Sequence, residues 1–237
     1  MDDRAIAHLR ETVAAEIARF ESESAIPNPD IDLVWSFSGP GTVLQPLKDY
    51  EEPWMAWMDA NRLQRAILLV HEVTALRIGK PVQKVSRSDI SATGPILFYN
   101  GIPVEMKAFR TIISLPDFPM PVEKIVTVSE VLRPGESETK DINNTRDQVL
   151  SYPRDRFEKP APTAVGLVSS AAHLPRVLRY INLIRPFEPE TQVHCFPIHS
   201  DHAWAAIDAV RETERIVAYC QAGHLSAKPY PTNLGLV

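Results

Sequence analysis

The chain alternates apolar runs of strand length with longer stretches of helical spacing, and that alternation sets its architecture. Ile6, Leu9, Val13, Ile17 and Phe20 recur between charged residues over the first two dozen positions, which predicts an amphipathic helix. Pro27-Asn-Pro29 ends it, and Ile31–Phe37 follows as a strand closed by the turn Ser38-Gly39-Pro40-Gly41. A helix is expected over 59–78, with Ile67, Leu68, Val70, His71 and Leu76 on its buried side. Strands are expected at 95–99, 123–128, 163–169 and 191–198, and helices at 104–113, 173–184 and 204–221. Asn144-Thr-Arg-Asp147 has the form of a helix cap with an acidic first turn, and Pro153 stops that helix. Apolar strands separated by helices predict an α/β fold: a Rossmann-like open, mainly parallel five-stranded sheet with helices on both faces and an N-terminal helical arm. The expected organisation is a helix over 1–26, the α/β domain over 30–225 and a tail over 226–237.

Composition narrows this only a little. Of the 237 residues, 44% are hydrophobic, and 25 basic against 30 acidic residues give a net charge of -5, so no nucleic-acid groove is indicated. No apolar run has the length of a membrane span, and two cysteines make no disulfide framework, so a cytoplasmic chain is expected. The first helix is expected to fold back onto its own sheet or to build a homodimer. Proline is abundant (21) and glycine scarce (9), which argues for stiff loops and against a glycine-rich phosphate loop.

The most informative segment is Val165–Arg176. An apolar run ends in Ser169 and Ser170, and a helix follows that carries His173 and Arg176 near its start. Pro175 tolerates only a first-turn position, so the helix must begin near Ala172 to Leu174. A strand handing over to a helix N-terminus is where open α/β sheets bind anions. The helix dipole favours a neutral His173, and Arg176 stays charged. The competing reading is a serine cap followed by two solvated polar side chains. The other strand ends add Ser38, Gly39 and Gly41, then Asn100, Gly101 and Glu105, so that compact polar residues recur along one rim.

This pattern resembles the YdcF-like family, with its SanA and ElyC members, from about Asp32 to Gly223. The matching features are Phe37-Ser-Gly39-Pro-Gly41, an arginine at Arg62 or Arg65, Tyr99-Asn-Gly101 with Glu105, Asn144-Thr145-Arg-Asp147-Gln148, and Ser169-Ser170 with His173 and Arg176. Asn100 replaces a family glycine, Asp147 and Gln148 replace Glu and Asn, and the membrane anchor of many SanA and ElyC relatives is absent from this sequence. The resemblance implies a soluble Rossmann-like domain that takes S-adenosylmethionine or a phosphorylated precursor. On this reading Arg65, Arg176 and the Gly39–Gly41 turn hold an anion. Ser38, Asn100, Gly101, Thr145, Ser169 and Ser170 line the site. His173 acts as acid or base, with Glu105 or Asp147 orienting it or a water. The alternative is a non-catalytic nucleotide or S-adenosylmethionine binder with the same groove.

Metal-capable groups cluster at His194-Cys195 and at His199, Asp201 and His202. His194 and Cys195 point to opposite faces of a strand, and the second group reads more simply as an aspartate cap for the last helix. No metal is therefore expected. Trp54, Met55, Trp57 and Met58 read as a packing patch, with a substrate lid as the alternative.

Overall fold

The computed structural model describes residues 1–38, 60–157, 161–199 and 202–233. Their core is a five-stranded parallel sheet in the order β3-β2-β1-β6-β7, formed by β1 (Ile31–Phe37), β2 (Ile96–Asn100), β3 (Ile125–Val128), β6 (Ala164–Ser170) and β7 (Gln192–Ile198). A short antiparallel pair, β4 (Glu130–Val131) and β5 (Lys140–Asp141), stands apart from it. The central strand is buried on both faces, as its nearly unbroken apolar run requires. This is the Rossmann-like open α/β architecture that the alternation predicts.

Each sheet face has its own core. α2 (Ala60–Ile78), α3 (Arg87–Thr93) and α4 (Pro103–Ile113) cover Val34, Leu97, Tyr99 and Val168. α1 (Asp3–Ser22), α5 (Thr145–Leu150), α6 (Leu174–Ile184) and α7 (His202–Gln221) lie on the other side, over Leu33, Trp35, Phe98 and Leu167. The sequence pattern misses α3. It is a seven-residue helix opened by a Ser86–Asp89 capping box, and Asp in place of the usual Glu or Gln conceals that signature.

The first helix is part of the domain core. Leu9, Val13, Ile17 and Phe20 pack into the same cluster as β1, β6 and α6, so its apolar face is covered by its own chain. Glu16 on that face forms a bidentate ion pair with Arg179 of α6, at 2.6 and 3.0 Å. Arg10 makes a second, exposed pair with Glu214 of α7. The C-terminal segment is also tied down: Tyr230 belongs to this cluster, and its N–H donates to the Leu178 carbonyl.

The edge strand β7 is blunted. Its outward carbonyls at Val193 and Cys195 accept from Asn233 and Ala25, and Pro197, two residues on, has no N–H to offer. Among the described residues no helix is long and apolar enough to cross a membrane.

Candidate functional site

The strand order reverses at β1, with β2 on one side and β6 on the other. Open α/β sheets bind ligands in the crevice outside the carboxyl ends of such a pair. Here those ends are Phe37-Ser38 and Ser169-Ser170. Gly39 and Gly41, assigned to the anion cradle, lie outside the described residues, as do Trp54, Met55, Trp57 and Met58.

His173 is the pivot. It caps α6 by position with a helical backbone, and Pro175 follows within the first turn, as its chemistry demands. The imidazole does not cap the helix; it turns into the protein. Nδ1 lies 2.8 Å from Ser169 Oγ at the end of β6, and Nε2 lies 2.9 Å from Thr145 Oγ1 at the start of α5. Burial, and then the cations Arg176, Arg62 and Arg215, hold its pKa well below the ordinary histidine value. The ring is therefore neutral, with one N–H and one lone pair. One hydroxyl donates to it while the other accepts from it. The reading of solvated polar side chains at this turn does not hold, because His173 is only 6% exposed.

The guanidinium at the crevice is that of Arg62, which donates to the Phe37 carbonyl (3.2 Å) and to Ser170 Oγ (3.0 Å). It therefore bridges the ends of β1 and β6. Arg65 is not brought to the site: it pairs with Glu72 at 2.7 Å, two turns along α2, and lies over the Phe196 ring. Helical periodicity separates the two arginines, since Arg62 shares the buried stripe of Ala66, Leu69 and Val73 while Arg65 does not. Arg176 reaches α7, with its Nε 3.1 Å from Glu212 Oε2.

Two expected site residues serve structure instead. Asp147, expected to orient the imidazole, accepts from Arg133 through both oxygens (3.0 and 2.9 Å), and its Oδ2 also takes the Asn143 N–H and the Asn144 amide. Its lone pairs are committed to holding the loop before α5, so it makes no contact with His173. Asn100, expected to touch ligand, is fully buried. Its Oδ1 accepts from Trp35 Nε1 (3.0 Å), and its Nδ2 donates to the Gln148 carbonyl (2.6 Å) and Ser151 Oγ (2.8 Å). Asn144 caps α5 as the sequence predicts, accepting from the Asp147 N–H.

Gln148, which sequence reasoning noted only as a replacement, proves central. Its Nε2 donates to Ser38 Oγ and to the Asn100 carbonyl, each at 3.0 Å, and so docks α5 onto the ends of β1 and β2. Gly101 is required by this close packing, because a Cβ there would stand 2.1 Å from Ser38 Oγ and 2.9 Å from Glu105 Oε2. Ser38 and Glu105 are thus neighbours across Gly101, on the β1–β2 side of the crevice.

Among the described residues no three His, Cys, Asp or Glu groups converge as metal ligands. His199 is exposed, 3.7 Å from Glu21. Asp201 and the side chain of His202 lie outside the description.

The buried histidines dictate a pH response. Burial also lowers the pKa of His71 and His194. Below the unfolded-state value of about 6.5 the unfolded chain binds protons that the native chain refuses, so stability is complete above that pH and declines as the pH falls toward the folded-state values. Urea midpoints should drop as the pH is lowered from about 7.5 to 5.5. His173→Gln should flatten that slope, and an unchanged slope would refute a buried neutral ring.

Comparison of the chain with family models, with curated proteins and with solved structures finds no match.

Proposed function

We propose that the chain is an enzyme acting on a phosphorylated or nucleotide-like small molecule seated at the carboxyl ends of β1 and β6, a hydrolase or transferase of phosphoester or adenosyl-type substrates. One observation carries this: a neutral imidazole clamped between Ser169 and Thr145, within the field of Arg62 on the neighbouring Ser170. Such a ring polarises the hydroxyl that donates to it, and a positive locale in a low-dielectric crevice stabilises charge developing on a substrate oxyanion. Arg62 is the anion contact in this reading. His173 exchanges the proton through its hydroxyl partner, and Glu105 lies on the far side of the crevice near Ser38.

The resemblance to the YdcF-like family belongs to the same proposal. The charge pattern favours phosphate over S-adenosylmethionine. Arg62 fits the carboxylate of that cofactor, but three nearby guanidiniums oppose its sulfonium cation. S-adenosylmethionine would supply a transferable methyl group, and no role for these residues depends on it.

A second reading, a nucleotide binder without turnover, is favoured by one feature. Both ring nitrogens of His173 already have hydroxyl partners, so the ring reaches a ligand only through them.

A thermal-shift screen of nucleotides, sugar phosphates, inorganic phosphate and S-adenosylmethionine tests the proposal. A ligand at a hundred times its Kd adds about 2.7 kcal/mol of stability. With a substrate found, His173→Ala should cut turnover by roughly 10²- to 10⁴-fold with affinity nearly intact, and Arg62→Ala should weaken binding. Affinity lost without any turnover in the parent chain identifies the binder. No shift with any phosphorylated or adenosyl compound would refute the proposal.

A further inference from the structure

Among the described residues, Arg176 lies in surroundings that its pairing with Glu212 does not satisfy. The side chain is only 12% exposed, and its Nε lies 3.1 Å from Glu212 Oε2, yet neither atom makes a well-directed hydrogen bond. The other oxygen of Glu212 holds Arg215, one turn further along α7. Two guanidiniums from two helices therefore share one carboxylate, and the junction of α6 and α7 keeps an excess positive charge. Arg146, exposed at the start of α5, adds its field at the neighbouring Tyr180. A largely buried guanidinium whose Nε makes no well-directed hydrogen bond among the described residues, held against a like charge, is a position that an anion stabilises.

We propose that Arg176 and Arg215 form a second anion position that takes a phosphoryl group, with the Glu212 carboxylate standing where the phosphoryl oxygens bind. A dianion matches two guanidiniums, whereas a monocarboxylate offers only what Glu212 already provides. Displacing Glu212 therefore selects for phosphate over carboxylate. The inference stands on α6 and α7 alone and does not require the crevice to be catalytic. If both hold, the ligand of this protein carries two anionic groups, one on Arg62 and one on Arg176, the two guanidiniums whose fields act on His173.

Isothermal titration of the full chain with inorganic phosphate at about pH 8, where phosphate is a dianion, tests it, with acetate as the monoanion control. Glu212→Gln removes the competing charge and should tighten phosphate binding about tenfold, while Arg176→Gln should weaken it about tenfold or more. Arg215→Gln alters an exposed side chain, so the core is left as it is, and it should also weaken phosphate. Phosphate should bind more tightly than acetate throughout. Unchanged phosphate affinity in Glu212→Gln would overturn the proposal. So would equal affinity for acetate, or no phosphate binding in either the parent chain or Glu212→Gln. Loss of phosphate binding in Arg62→Gln alone would place the anion in the crevice only, ending the second position and leaving the first reading standing. Loss in Arg176→Gln and Arg215→Gln alone would do the reverse.

Discussion

Glu16→Ala should cost about 3–5 kcal/mol, because it leaves the Arg179 guanidinium buried without its counter-charge. The Arg179 side chain is 0% exposed, and Glu16 supplies both carboxylate oxygens to it. Among the described residues only the Pro175 carbonyl, at 3.1 Å, would remain as its hydrogen-bond partner. In a domain whose whole stability is on the order of 5–15 kcal/mol, the loss should lower Tm by on the order of 10 °C and shift the urea midpoint. Replacing both residues by methionine should recover most of that loss, since removing a buried pair outright is far milder than orphaning one charge. The pair also pins α1 to α6, the helix that carries His173, so the substitution should loosen the site as well. A Glu16→Ala chain with a urea midpoint near the parent's would mean that α1 is held by its apolar face alone.

That pair illustrates what local pattern could and could not reveal. Strands are legible because Ile31–Phe37, broken only by Asp32 and Ser36, and Val165–Val168 are the predominantly apolar runs that a doubly covered sheet accommodates. Helix starts are legible where chemistry is restrictive, at Asn144 and Pro175. From these the strand-end rim follows, and with it Ser169, Ser170 and His173, whereas Thr145 enters only through the family resemblance. A glutamate on the apolar face of α1, however, carries no mark of an arginine 163 residues away. The same holds for Asp147 and Arg133. An acidic residue in a first turn reads equally as cap support or as catalytic carboxylate, and only the position of β4 and the loop after it decides. Gly101 is expected from its sequence position to line the site, and the structure adds that the Ser38 side chain packs directly against it. Arg62 could have been chosen over Arg65 from helical phase alone; that choice requires trusting periodicity over charge, because a buried arginine looks like an error in an apolar stripe.

Trp35→Ala should be as damaging as Glu16→Ala, at about 3–5 kcal/mol for the cavity, with a further cost of about 1–3 kcal/mol for the acceptor it orphans. Trp35 stacks on Phe37 with ring centroids 4.5 Å apart and meets Phe98, Tyr152 and Phe187 around its rim. It is the centre of the core on the α6 face. Its indole N–H also fixes Asn100, whose amide in turn holds the Gln148 carbonyl of α5 and Ser151 at the C-terminal cap of that helix. The N-terminal residue of that helix, Thr145, is one of the two hydroxyls that clamp His173. Core and site are therefore one polar chain: Trp35, Asn100, α5, Thr145, His173. Trp35→Phe separates the two effects, since it keeps an aromatic ring in the core but deletes the donor. It should cost about 1–3 kcal/mol and, more tellingly, move the NMR resonances of the His173 ring, because Asn100 loses the contact that sets its orientation. If Trp35→Phe lowers stability while the His173 resonances and their pH titration stay unchanged, the indole is only a packing residue and the site is positioned without it.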